Sequence, residues 1–258
     1  MQPINDLMEI QAVLVYTDAY EHELPLFPAE FKTLDGPVTR YIDHTLLKTE
    51  ATPAQIGQIC KEARQYSFAS VCVNSLYAPL VSHELQGSDV KTCCVVGFPL
   101  GASPTAVKVR ESEIAIGDGA AEIDMVMAIG LLKGRELQSV LDDVRAVAQA
   151  CHASGAILKV ILEMGLLTQR EKILACLICQ AAGADFVKTS TGFFAGGATV
   201  QDVELMRRVV GLTMGVKAAG GVRSLDDARA MLKAGATRLG SSAGVKIAQG
   251  LVVEKNEY

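Results

Sequence analysis

From Arg40 onward, short apolar, β-branched runs alternate eight times with longer amphipathic stretches, and no other feature of the sequence constrains the fold as tightly. Such alternation marks parallel strands joined by helices. Strands are expected at 41–46, 70–74, 91–98, 122–128, 157–163, 186–191, 216–222 and 238–242. Four helix starts are written chemically, as Thr52-Pro53-Ala54-Gln55, Thr168-Gln169-Arg170-Glu171, Thr199-Val200-Gln201-Asp202 and Ser224-Leu225-Asp226-Asp227. In each, a hydroxyl at the N-cap accepts a backbone N–H, and a polar or acidic side chain follows three residues later. Ser103-Pro104 reads as a fifth start, with Pro at the first helical position. Eight strand–loop–helix units in about 210 residues fit an α/β fold of one domain, a single (β/α)8 TIM barrel. The rival is a doubly wound open sheet, against which stands the absence of a G-x-G-x-x-G turn after the first strand.

The barrel domain is expected over 38–258, preceded by a short helical extension over 1–37. In that extension Leu7, Ile10, Val13 and Leu14 suit one amphipathic helix, followed by a stretch containing Pro25 and Pro28. Nothing chemical resides there, so the segment reads as a layer over the bottom of the barrel or as a partner surface. The net charge of −5 comes without any basic stripe, so nucleic acid is not an expected partner. No apolar stretch is long enough to span a bilayer, and the first residues lack the pattern of a secretory signal. The seven cysteines all sit in apolar runs, which suits reduced core thiols in a cytoplasm. The four histidines are scattered, no His/Cys set has metal-site spacing, and neither metal nor other cofactor is expected. A homo-oligomer, dimer or tetramer, is compatible with all of this.

Parallel barrel strands are normally continuous hydrophobic runs. Four consecutive strands break that pattern: Asp124 lies in Ile123-Asp124-Met125, Lys159 in Leu158-Lys159-Val160, Lys188 follows Val187, and Lys217 follows Val216. A single such charge is readily explained by a strand end reaching water. Four at comparable positions on neighbouring strands point into one mouth together, and active sites of this fold lie at the C-terminal ends of the strands. A free lysine amine is protonated and non-nucleophilic at neutral pH. Desolvation and a second cation both favour its neutral form, and Lys188 with Lys217 supply the pair. Neutral Lys188 would attack an aldehyde to give an iminium, an electron sink for carbon–carbon bond cleavage. Asp124 is the carboxylate suited to the accompanying proton transfers, with Lys217 or Lys159 sharing the proton. Tyr258, at the terminus, is a further candidate acid.

Small-residue turns cluster late in the chain, at Thr189-Ser190-Thr191-Gly192, Gly220-Gly221-Val222-Arg223 and Gly240-Ser241-Ser242. Barrels commonly bind phosphate with the loops after strands seven and eight, where glycines let backbone N–H groups approach the anion. Another Schiff-base barrel aldolase or a transaldolase acting on a longer ketose phosphate, and a non-catalytic sugar-phosphate binding protein, are the competing functions.

Eight segments in order, among them Tyr41-Ile42-Asp43-His44-Thr45-Leu46, Gly97-Phe98-Pro99-Leu100-Gly101, Glu122-Ile123-Asp124-Met125-Val126, Phe186-Val187-Lys188-Thr189-Ser190-Thr191-Gly192 and Lys217-Ala218-Ala219-Gly220-Gly221-Val222-Arg223, resemble the 2-deoxyribose-5-phosphate aldolase family. The resemblance covers nearly everything from Arg40 to Leu251. It implies reversible cleavage of 2-deoxy-D-ribose 5-phosphate to acetaldehyde and D-glyceraldehyde 3-phosphate, without metal, in deoxynucleoside catabolism. It implies Lys188 as the Schiff-base lysine, Asp124 and Lys217 as the proton-transfer pair and Lys159 as a supporting residue. For substrate binding it implies Asp43, Thr45, Cys72 and Thr191, and around the phosphate Gly192, Gly220, Gly221, Arg223, Gly240, Ser241 and Ser242. The chain departs from the family pattern at Phe193, Phe194-Ala195, Met164 and Ser75. Those changes lead to an expectation of weaker phosphate selectivity and wider tolerance for uncharged aldehydes.

Overall fold

The computed structural model describes residues 10–31 and 36–251. Its eight strands are β1 (Ile42–Leu46), β2 (Ser70–Asn74), β3 (Lys91–Val96), β4 (Glu122–Val126), β5 (Ile157–Ile161), β6 (Phe186–Lys188), β7 (Gly215–Ala219) and β8 (Arg238–Ser241). They pair in parallel in sequence order, and β8 returns to β1, so the barrel is closed. The helices are α1 (Ile10–His22), α2 (Pro53–Tyr66), α3 (Ala78–Glu84), α4 (Thr105–Gly117), α5 (Ile129–Lys133), α6 (Leu137–His152), α7 (Gln169–Ala181), α8 (Val200–Val210), α9 (Leu225–Lys233) and α10 (Gly244–Ala248). All eight expected strands form, but several stop short of their apolar runs. The chain turns out of the ladder early where Gly97 and Glu163 take left-handed backbone angles (φ 60° and 53°), and it is these departing ends that form the mouth.

The four hydroxyl caps form as the sequence requires: Thr52, Thr168, Thr199 and Ser224 each accept the backbone N–H three residues on. The fifth start is corrected by one residue. Helix α4 begins at Thr105 with Pro104 itself at the N-cap, and no side chain caps it.

Outward strand residues and the inner helix faces form one large core, typified by Val71, Ile123, Leu158, Val187 and Leu239. A separate small cluster lies inside the barrel mouth, made of Leu47, Cys72, Cys93 and Val95, with Phe98 packed against it.

The N-terminal helix α1 lies against α7, touching α6, so it occupies the barrel's flank and not its bottom. Arg170 on α7 grips Asp18 (2.6 Å) and Glu21 of α1, while Arg208 of α8 donates to the carbonyls of Pro25 (2.6 Å) and Leu24 (3.2 Å). This explains a peculiarity of α7, in which Ile173 through Cys179 are all buried. A helix apolar on every side needs cover on every side, and α1 supplies the outer half. Leu7 and Tyr258 lie outside the described residues.

Candidate active site

Asp124 is the hub of the barrel interior. Its Oδ2 accepts from Lys188 Nζ (2.7 Å) and Lys217 Nζ (2.7 Å), and its Oδ1 from Lys159 Nζ (2.8 Å). The strand register produces this convergence: Asp124 pairs with Lys159 across β4–β5 and Lys188 with Lys217 across β6–β7. The four charges singled out in the sequence thus meet at one carboxylate.

Three further charges complete the network. Lys217 also holds Asp43 Oδ2 (2.5 Å), Lys159 also holds Glu122 Oε2 (2.7 Å), and Arg238 bridges Asp43 (2.8 Å) and Glu122 (2.5 Å). Three carboxylates, Asp43, Glu122 and Asp124, therefore face four cations, Lys159, Lys188, Lys217 and Arg238, leaving one positive charge in excess. Lys159, Lys217 and Arg238 each engage two carboxylates, whereas Lys188 engages one oxygen that it shares. Lys188 is also the lysine nearest the opening, with 3% of its side chain exposed against 0% for Lys159 and Lys217.

The electrostatics follow from this packing. Burial alone would raise the Asp124 carboxyl, but the ammonium groups of Lys159, Lys188 and Lys217 outweigh it and hold the carboxyl well below the usual range. Asp43 is likewise held low against its burial by Arg238 and Lys217. Burial would favour neutral Lys217, yet Asp124 and Asp43 raise it, and Lys159 is raised in the same way by Asp124. Lys217 is thus a persistent cation beside Lys188.

Thiols line the β2–β3 wall. Cys93 Sγ donates to Asp124 Oδ1 (3.2 Å) and Cys72 Sγ lies 3.9 Å from Oδ2. Cys72, Cys93 and Asp124 group their donor atoms within 4.8 Å. With three ammonium groups already on that carboxylate, a further cation there would meet strong repulsion. Gly240 sits within β8, below the loops, where a Cβ would lie 2.9 Å from Ala219 Cβ and 3.3 Å from Lys217 Cε. Its lack of a side chain gives Lys217 its room.

The loops after β6 and β7 are laced together. Ala198 N–H donates to the Gly220 carbonyl (2.8 Å), and a Cβ on Gly197 would lie 2.7 Å from that oxygen. Gly192, Gly220 and Gly221 take positive φ, leaving backbone N–H groups unshielded by side chains. Ser190 Oγ is buried there without a hydrogen-bond partner among the described residues. Glu163, buried at the end of β5, accepts from Thr191 N–H (3.0 Å) and Oγ1 (2.5 Å), and Thr191 Oγ1 accepts from Phe193 N–H (3.1 Å). Ser241 Oγ donates to the Val222 carbonyl (2.8 Å), Arg223 N–H donates to Asp227 (3.1 Å), and Ser242 follows at the same end. Thr45 Oγ1 turns back to the Asp43 carbonyl (2.8 Å). Phe98 and Phe193, from the loops after β3 and β6, meet edge to face at 5.0 Å.

Sequence reasoning missed Glu122, Arg238 and Cys93 as members of the network and Glu163 as the anchor of Thr191. The available signal was a charged residue at the first position of a strand, at Glu122 on β4 and Arg238 on β8.

A closed parallel barrel whose lysines converge on one carboxylate beneath its catalytic rim defines a barrel lyase that works through an amine. The chain belongs to the DeoC/LacD aldolase family, whose model matches residues 38–255. It is 56% identical over 219 residues to the deoxyribose-phosphate aldolase of Streptococcus gordonii, covering 85% of this chain and 99% of that one. A structure from Coccidioides immitis assigned as a deoxyribose-phosphate aldolase is 40% identical, with a TM-score of 0.87, covering 95% of this chain and 98% of that one. The tetrameric deoxyribose phosphate aldolase of Aeropyrum pernix is 35% identical, with a TM-score of 0.78, covering 82% of this chain and 89% of that one.

Proposed function

We propose that this chain is a deoxyribose-phosphate aldolase, reversibly cleaving 2-deoxy-D-ribose 5-phosphate to acetaldehyde and D-glyceraldehyde 3-phosphate. The observation that carries the mechanism is Asp124 Oδ2 lying 2.7 Å from both Lys188 Nζ and Lys217 Nζ. The surplus cation means that one proton can leave this network and bring its charges into balance. Lys188, with a single shared carboxylate contact, is the group that gives it up, and the free amine attacks C1 of the open-chain sugar.

Loss of water from the carbinolamine gives an iminium, which restores the positive charge at the same place. Removal of the C3 hydroxyl proton then breaks the C2–C3 bond. The electron pair moves into the iminium to form an enamine, and glyceraldehyde 3-phosphate departs. Protonation at C2 and hydrolysis release acetaldehyde and regenerate Lys188. Asp124, touching both lysines, relays protons between them. Lys159 and Asp43 hold Asp124 and Lys217 in place and keep them charged. The cluster of Leu47, Cys72, Cys93 and Val95 offers an apolar wall for the two-carbon fragment.

The phosphate is assigned to the laced loops, with Gly192, Gly220 and Gly221 presenting backbone N–H groups, together with Thr191, Arg223, Gly240, Ser241 and Ser242 at the same end of the barrel. The orphaned Ser190 hydroxyl supports a polar ligand there. Borohydride reduction with acetaldehyde followed by peptide mapping tests the mechanism. An adduct on Lys188 that disappears in Lys188→Ala is expected, and an adduct on Lys217 or none at all would overturn the assignment.

A second reading is favoured by one contact, the Phe98–Phe193 pair at the mouth. An aromatic edge there suits uncharged aldehydes and implies relaxed phosphate selectivity. Comparing kcat/KM for deoxyribose with and without its 5-phosphate decides it, because an undiminished preference for the phosphate refutes it. Seven unpaired thiols suit a cytoplasmic setting, and no helix among the described residues is long and apolar enough to cross a membrane. By analogy with the Aeropyrum relative, self-association as a dimer or tetramer is proposed and is measurable by light scattering.

A further inference from the structure

Cys72 and Cys93 are direct register partners on the adjacent parallel strands β2 and β3, and both side chains point into the barrel mouth toward Asp124. Neighbouring strands lie about 4.8 Å apart, inside the range of about 4.4–6.8 Å that a disulfide requires between Cα atoms. The two Sγ atoms lie within 4.8 Å of each other, Cys72 beside Asp124 and Cys93 beside both Asp124 and Lys159. The geometry points to a peroxide-sensitive modification site, in which Cys72 and Cys93 close a reversible disulfide that switches the aldolase site off.

The reactivity of the pair is divided. The contact with Cys93, helped by the Lys217 and Lys188 ammonium groups, favours the thiolate of Cys72 despite burial, whereas burial and the contact with Cys72 push Cys93 well up. Cys72 is thus the attacking sulfur and Cys93 the resolving one. Access is that of the substrate: Cys72 Sγ and Lys188 Nζ both lie within 4 Å of Asp124 Oδ2, so a mouth that admits an aldehyde to the amine admits a hydroperoxide to the thiol. The inference rests in this respect on the aldolase reading. The Cys72 thiolate attacks one peroxide oxygen, the O–O bond breaks, and the departing hydroxide takes a proton to become water. Cys93 then attacks the sulfenic sulfur, and the expelled hydroxide leaves with the Cys93 proton as a second water. Two thiols lose two hydrogens and two electrons, and the peroxide takes both.

Closing the bond turns Cys93 away from Asp124 Oδ1 and Lys159, removing contacts from the hub of the network, and draws in the wall facing Lys188. A fall in aldolase activity of about tenfold or more follows from the loss of hydrogen bonds to a charged group.

The test treats the reduced, full-length protein with a small excess of hydrogen peroxide, alkylates it after denaturation and maps its tryptic peptides. A cross-link between Cys72 and Cys93, loss of activity and its recovery with dithiothreitol are expected. Cys93 and Cys94 share a tryptic peptide, so Cys94→Ala must keep the cross-link. Cys93→Ala must abolish it and leave a Cys72 sulfenic acid that dimedone captures. Free, alkylatable Cys72 and Cys93 after oxidation elsewhere would overturn the proposal, as would cross-linked protein of full activity. Borohydride trapping on Lys188 in the reduced protein tests the aldolase reading by itself, so the two failures are distinguishable.

Discussion

Asp124→Asn is the sharpest perturbation of the network, because one atom's exchange removes the shared anion without changing volume. Of the three lysines on Asp124, Lys159 keeps Glu122 and Lys217 keeps Asp43, but Lys188 is left with no carboxylate. The buried network then holds four cations against two carboxylates. Orphaning one buried ion costs about 3–5 kcal/mol, which for a domain of this size lowers the apparent melting midpoint by about 6–20 °C. Asp124 is held below its ordinary 3.8, so its contribution is complete above that value and is lost as pH falls through the lower folded-state value. Lys217 is raised above its ordinary 10.5, so its contribution is complete below that value and is lost only at still higher pH. The gap between parent and variant is therefore level from about pH 5 to pH 8 and narrows in strong acid and in strong base. Circular dichroism melts across that range measure it, and a coupled assay of sugar cleavage should show kcat reduced by about 10²–10⁴-fold. A variant melting within about 2 °C of the parent and trapping acetaldehyde at the parental rate would refute the hub role of Asp124.

Three further outcomes are expected. Gly240→Ala crowds Ala219 and Lys217, lowering stability by about 1–3 kcal/mol and kcat more than KM, and unchanged kinetics would show that Lys217 has room to spare. Glu163→Ala leaves the Thr191 N–H without its acceptor at about 1–3 kcal/mol. It should raise KM for the phosphorylated sugar while sparing unphosphorylated deoxyribose, and an equal loss on both would deny the loop its anion role. Phe193→Lys breaks the aromatic contact with Phe98 and adds a cation at the mouth, so the preference for phosphorylated over plain deoxyribose should rise, as paired kcat/KM values would reveal.

The barrel was legible because its strands and helix caps are local signals. Thr52 and Ser224 each carry their own N-cap partner three residues on, and β2 reads as Ser70–Asn74 without any knowledge of its neighbours. The four charges on β4 to β7 were visible because each interrupts an apolar run. Arg238 and Glu122 were not, since a charged residue opening a strand looks like an ordinary solvent-facing end. Only closure of the barrel, which carries Arg238 to Asp43 across the β8–β1 seam, reveals that they hold the network's lower half. Glu163 was hidden for a related reason. Its partner Thr191 lies 28 residues away on the next strand's loop, and nothing local announces the pairing. The placement of α1 on the flank was equally non-local, though the unbroken apolar run of α7 hinted that something must cover it.

That cover has a bearing on assembly. The Streptococcus relative aligns over 219 residues that make up 99% of its length, leaving little chain to supply a counterpart of α1. In this protein the outward side of α7 is already occupied from within the same chain, clasped by Arg170 and Arg208. A neighbouring copy approaching from that quarter meets Asp18, Glu21 and the outer side of α1 in place of the bare aliphatic ridge of α7.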